Sequence, residues 1–219
     1  MKAKKQQFLV LGLGRFGSSA AKSLAELGYE VLAVDQNEDA VETIAPFVTQ
    51  AVVADATDED ALKELDVSSF DVAIVAIGSS IRESILMSML CKEAGIPNVI
   101  AKANDELHAK ILRRVGVDRV IFPERDMAQR LARSLVMPGL LDIMELSDEQ
   151  QIAEVIVPEK WIGKSLAENN VRQNFGVSIV AIRRDGKMLS TPGASTVLLK
   201  EDILLMMGSE DNIDELRNL

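Results

Sequence analysis

Cysteine and histidine are almost missing from this chain: Cys91 and His108 are the single representatives of each. A lone cysteine closes no intrachain disulfide and supplies no thiolate set for a zinc finger. Long apolar runs are missing too. The longest, such as 72–77 and 203–207, have strand length, far below the roughly 20 residues of a membrane span. Nor is there a basic tail or stripe. A formal net charge of −10, shared by both halves, leaves nothing to neutralise a row of phosphates, so nucleic acid is not an expected partner. One small anionic nucleotide is a different matter, since a few backbone N–H groups and one or two cations hold it. The opening Met1-Lys2-Ala3-Lys4-Lys5-Gln6-Gln7 is positive but passes straight into a strand and a glycine turn. It lacks the apolar region and cleavage site of a secretory signal, and the expected compartment is the cytoplasm.

What is present suffices for one full core and a smaller one, with 47% of the 219 residues hydrophobic and 26% charged. Apolar, β-branched runs at 8–11, 30–34, 51–54, 72–77, 98–101 and 119–122 predict six strands. Between them, 17–27, 83–94 and 105–115 carry helical spacing, with Gly28, Gly95 and Gly116 placed as C-terminal caps. Strands that are apolar on both faces and joined by helices predict a Rossmann-like, doubly wound parallel sheet of the α/β class.

A further helix is predicted over 124–136, with Met127, Leu131 and Leu135 along one face beside Ala128 and Ala132, ending at Pro138-Gly139. The six-stranded sheet is already complete, so this helix packs either on its own sheet or on a partner subunit. Beyond it the pattern shortens to strands at 151–157, 177–182, 187–190 and 203–207, helical pieces at 165–169 and 211–218, and a hairpin turn at 184–187. The expected organisation is a nucleotide-binding domain over 1–137, a linker over 138–147 and a small α+β domain over 148–219.

Gly12-Leu13-Gly14-Arg15-Phe16-Gly17 follows the first strand and opens the first helix, the context the dinucleotide fingerprint needs. Gly12 permits the tight turn, Gly14 lets backbone approach phosphate, and Gly17 allows helix and strand to pack closely. The helix N-terminus then favours the anion. Asp35 ends the second strand, where a carboxylate accepts from ribose hydroxyls. Arg15, inside the loop, either reaches the phosphates or stays solvated. Asp55-Ala56-Thr57 and Ile77-Gly78 follow the third and fourth strands at the sheet's carboxyl edge, suited to the adenine pocket, with helix capping as the competing role. Lys102 ends the fifth strand on the same edge as a second phosphate cation. No catalytic set emerges: His108 reads as structural or solvated, and Cys91 as core.

Val10 to Gly17, Val34-Asp35, Ala54-Asp55-Ala56-Thr57, Val75-Ala76-Ile77-Gly78 and Pro123-Glu124-Arg125-Asp126-Met127 together resemble the KtrA-type cytoplasmic regulatory subunits of bacterial Ktr and Trk potassium-uptake systems. Those subunits pair an N-terminal domain regulating potassium conductance (RCK) with a small C-terminal one. The resemblance covers essentially the whole chain. It implies a homo-oligomeric ring, usually an octamer, docked on a membrane potassium channel, with ATP and ADP competing for one pocket and Arg15 engaging the γ-phosphate. It implies that Glu124 contributes to a Mg²⁺ or Ca²⁺ site at a subunit interface, and that helix 124–136 crosses over to pair subunits. In many relatives the C-terminal domain binds cyclic di-AMP; here the matching positions are Leu166, Arg172, Asn174, Phe175, Gly176, Val177 and Pro192. Two functional classes follow: a non-enzymatic nucleotide-sensing regulator, or an NAD(H)-dependent sensor or oxidoreductase. Asp35 does not separate them, because ATP and NAD both offer a free ribose diol.

Overall fold

The structure, a computed structural model, describes residues 6–137, 139–147 and 149–218. The basic residues 1–5, the helix stop expected at Pro138 and the two ends of the domain expected over 148–219 lie outside the described residues. The chain divides into two compact units that meet between Pro123 and Glu124.

The first unit alternates strand and helix: β1 (Gln7–Leu11), α1 (Arg15–Glu26), β2 (Glu30–Asp35), α2 (Glu38–Ile44), β3 (Gln50–Val53), α3 (Glu59–Glu64), β4 (Val72–Val75), α4 (Ile81–Glu93), β5 (Asn98–Lys102), α5 (Glu106–Val115) and β6 (Arg119–Ile121). Its strands run in the order β3-β2-β1-β4-β5-β6, and all pairings are parallel. The doubly wound sheet expected from the sequence is therefore present. Alternate residues of one strand feed opposite cores: Leu9 and Leu11 join one buried cluster and Val10 the other, as the two-residue side-chain period dictates. Helix starts are set by short polar caps, Asn37, Asp58, Ser80 and Asp105, each accepting from a first-turn N–H. The strand order reverses between β1 and β4, so the crevice for a ligand opens beyond the carboxyl ends of those two strands.

The second unit holds α6 (Pro123–Val136) from Glu124 onward, then β7 (Leu140–Glu145), β8 (Gln151–Ile156), α7 (Leu166–Asn169), α8 (Val171–Phe175), β9 (Ser178–Arg184), β10 (Lys187–Ser190), β11 (Ile203–Gly208) and α9 (Glu210–Asp214). Its sheet, β10-β9-β11-β8-β7, is antiparallel, and Trp161, Leu198, Leu204, Met206 and Ile213 form its centre. The expected linker over 138–147 is corrected here. It carries β7, because Leu140 and Ile143 turn inward to the core and the strand pairs with β8. The helix assigned to the first domain by sequence also groups with the second unit, where Arg133 donates to Gln151 Oε1 at 3.4 Å and to Glu210. None of its described residues is buried, and Met127, Leu131 and Leu135 are 62%, 58% and 76% exposed. Among the described residues no helix is long and apolar enough to cross a membrane.

Candidate nucleotide site

The glycine loop is held by contacts that side chains would break. Gly12 has φ 93°, and a Cβ on it would stand 2.9 Å from Ile77 Cδ1. A Cβ on Gly17 would run into the Gly12 carbonyl oxygen, so the first turn of α1 seats directly against the loop. Gly14 is the N-cap of α1, and nothing lies within 4 Å of where its Cβ would be. Open space therefore faces a twelve-residue helix start whose first N–H groups have no acceptor within the helix. No acidic residue occupies that turn. Arg15 is exposed there, while Phe16 packs back onto the core.

Asp35 is fixed at the mouth of the loop. Its Oδ2 accepts from the Leu13 N–H at 2.6 Å and its Oδ1 from the Asn37 N–H at 2.8 Å. Each oxygen keeps a lone pair for a ribose hydroxyl. Asp55 Oδ1 accepts from the Thr57 hydroxyl at 2.6 Å and the Thr57 N–H at 2.9 Å. These two bonds hold the Asp55 carboxyl below its ordinary range. Neither residue caps a helix, since Asp58 caps α3; Ile77 and Gly78 do not cap α4, since Ser80 does. That competing role is removed. Ala56 is buried beside them.

Gly12, Val34, Asp35, Gln36, Ala54, Asp55, Ala56, Ile77, Glu83 and Met87 line one cleft. Of the candidate residues, Gly12, Asp35, Asp55, Ala56 and Ile77 lie together here, with Val34, Gln36, Ala54, Glu83 and Met87 beside them. The signal for the last two was available only in hindsight: they lie on the inward side of α4, directly after the Gly78 turn. A roomier hollow between α3 and α4, lined by Leu62, Val67 and Leu90 among others, contains none of the glycine-loop residues. Lys102 reaches the carboxyl edge, where a Cβ on Gly78 would lie 3.1 Å from its Nζ.

The single cysteine and the single histidine are both buried. Cys91 is fully buried, and burial pushes its thiol up to about 12. His108 is buried, which lowers its pKa despite the opposing charge of Asp105. Glu124 is exposed at the start of α6. Among the described residues no group of three or more His, Cys, Asp or Glu comes together to hold a metal.

The candidate second-messenger positions separate by burial. Arg172, Asn174 and Gly176 are exposed, and Pro192 is half-buried. Asn174 Nδ2 donates to the Asn169 carbonyl at 3.1 Å. Leu166 and Phe175 pack against the core, Phe175 with its ring 5.5 Å from that of Trp161. Val177 is fully buried. Sequence reasoning also missed Asp202, 1% exposed, which accepts Arg184 Nε at 2.8 Å, Arg184 Nη2 at 2.7 Å and the Leu199 N–H at 2.8 Å.

Residues 8–123 match the TrkA-N domain and residues 152–219 the TrkA-C domain. The Ktr system potassium uptake protein C of Bacillus subtilis is 42% identical over 209 residues, covering 95% of each chain. Ktr system potassium uptake protein A of the same organism is 41% identical over 215 residues, 98% of this chain and 97% of that one. The crystal structure of the GsuK RCK domain superposes with a TM-score of 0.68 at 22% identity, covering all of this chain and 48% of that one. This chain belongs to the family built from a TrkA-N and a TrkA-C domain that includes the Ktr potassium-uptake proteins A and C.

Proposed function

We propose that this protein is a non-enzymatic, nucleotide-sensing regulatory subunit that binds ATP or ADP at the carboxyl edge of its parallel sheet and so gates a membrane potassium channel. One observation carries the reading: the open helix start at Gly14 and the fixed Asp35 carboxylate flank the same glycine loop, as phosphate and ribose recognition require. Arg15 stands on the first turn to read the terminal phosphate. ATP and ADP then switch the protein only by favouring different assembled states, since a ligand shifts an equilibrium by its differential affinity alone. The non-enzymatic half is supported by the burial of Cys91 and His108, which leaves neither at the cleft as nucleophile or base.

Assembly belongs to the same proposal. The exposed apolar stripe of α6 suits a crossover helix that pairs subunits within a cytoplasmic ring, octameric as in the resembling family. Glu124, at the start of α6, would share a Mg²⁺ or Ca²⁺ ion across that interface; the carboxylate suits such a hard cation. In the C-terminal domain, Arg172 and Asn174 are the exposed polar groups suited to cyclic di-AMP.

The test is calorimetric titration of nucleotide-stripped protein with ATP, ADP and NADH, with and without Mg²⁺, while light scattering follows assembly. Saturable ATP and ADP binding to a large oligomer without hydrolysis is expected. Preference for NADH by a monomer or dimer would replace this reading with the NAD(H)-dependent one.

A further inference from the structure

The turn between β5 and α5 is tied into the phosphate edge in a way that the glycine loop does not require. Asn104 Nδ2 donates to the Gly78 carbonyl at 2.7 Å, which joins this turn to the loop after β4. The Asn104 backbone N–H donates to Nδ1 of His108 at 3.3 Å, and the His108 N–H donates to the Asp105 cap at 2.8 Å. His108 is 1% exposed, and its Nε2 has no partner among the described residues. An apolar side chain would fill the same space without burying an unpaired polar atom; what the imidazole adds is an acceptor for Asn104. That hydrogen bond assigns the ring proton to Nε2. On the other side of the bracket, a Cβ on Gly78 would stand 3.1 Å from Lys102 Nζ and 3.5 Å from Asn104 Oδ1. Ammonium, amide and loop therefore share one patch at the carboxyl ends of β4 and β5.

We propose that Asn104, held from below by His108, is a positioning residue of the nucleotide site: it fixes the Gly78 loop so that Lys102 presents its ammonium to the phosphates of a bound nucleotide. This rests on the reading of this edge as a nucleotide site. Asn104 acts through the loop and the lysine and does not need to touch the ligand. Two consequences distinguish positioning from general support of the fold. The effect of Asn104 runs through Lys102, so substitutions at the two are coupled and not additive. At position 108 the acceptor matters and the ring does not, so His108→Asn, which keeps an oxygen near the place of Nδ1, restores what His108→Leu loses.

ATP titration of the full-length protein tests this in wild type, Lys102→Ala, Asn104→Ala and the double variant, with a thermal melt of each. Lys102→Ala is expected to weaken ATP about tenfold and Asn104→Ala about fivefold, the sizes of one charged and one neutral hydrogen bond. The double variant should bind no more weakly than Lys102→Ala alone. His108→Leu should match Asn104→Ala, with His108→Asn close to wild type. Additive losses, or an unchanged ATP affinity in Asn104→Ala, would overturn the bracket while leaving the site standing. Failure of ATP, ADP and NADH to saturate the wild type would overturn both. Should Asn104→Ala melt early, Asn104→Ser in the same cycle decides between the same outcomes.

Discussion

The two sheets of this protein present candidate sites of opposite construction. In the parallel sheet the candidate site is built mainly on backbone: a loop with glycine at 12, 14 and 17, a helix start, and one carboxylate fixed by N–H groups of Leu13 and Asn37. In the antiparallel sheet the candidate site depends on side chains from two short helices and the chain that follows, and the core has claimed several of them. Val177 is fully buried, and Phe175 leans on Trp161. A backbone site leaves a steric signature in sequence because only glycine fits. A side-chain site leaves none until burial is known.

The comparison breaks most sharply at Gly17. Gly17→Ala puts a methyl group into the Gly12 carbonyl, and is expected to cost roughly 3 kcal/mol or more and to abolish ATP binding, read by urea melting and calorimetry. In the second unit, Asp202→Ala removes the acceptor of the Leu199 N–H and the carboxylate of Arg184, which keeps only the Val197 carbonyl at 2.9 Å. Asp202 is covered but close to the surface, so a loss of about 2 kcal/mol is expected, below the range for deeply buried pairs. ATP binding should persist in that variant.

The same pair sets an acid limit. Burial pushes the Asp202 carboxyl up, but Arg184 and the Leu199 N–H outweigh it and hold the folded pKa below the ordinary value. A depressed carboxylate stabilises the fold fully above its unfolded pKa, and that stability is lost as pH falls through the folded one. The acid arm of a melting-midpoint profile should therefore flatten in Asp202→Ala.

A smaller effect is expected at Arg15, where Arg15→Ala should weaken ATP about tenfold and ADP distinctly less. Equal losses for both would show that Arg15 does not read the terminal phosphate. Smallest is the titration of His108. Its folded pKa is lowered by burial, so the unfolded chain takes up the proton first, and stability declines as pH drops below the ordinary imidazole value. Differential scanning calorimetry from pH 7 to pH 5 should show a slope that disappears in His108→Leu.

Legibility followed the same division. The six parallel strands were readable because fully apolar runs such as Val72–Val75 are buried on both faces. Helices α2 and α3 were not, being 7 and 6 residues long and set more by their caps than by periodicity. β7 read as a linker because only Leu140 and Ile143 of its six residues are buried. The Asn104 bracket was invisible, since its contact with Gly78 spans 26 residues and Asn104 follows no motif. The Arg184–Asp202 pair was hidden for the same reason, one arm in a hairpin and the other at the foot of β11.

Hydrogen exchange with and without saturating ATP tests the central claim most directly, because it reports the glycine loop and the C-terminal segment in one experiment. The account predicts the strongest protection over 12–17, 35–37 and 76–80, where the loop, Asp35 and the Gly78 turn lie, and little direct protection over 165–178. Saturation by ATP with no protection at 12–17, or protection centred on 165–178, would contradict it.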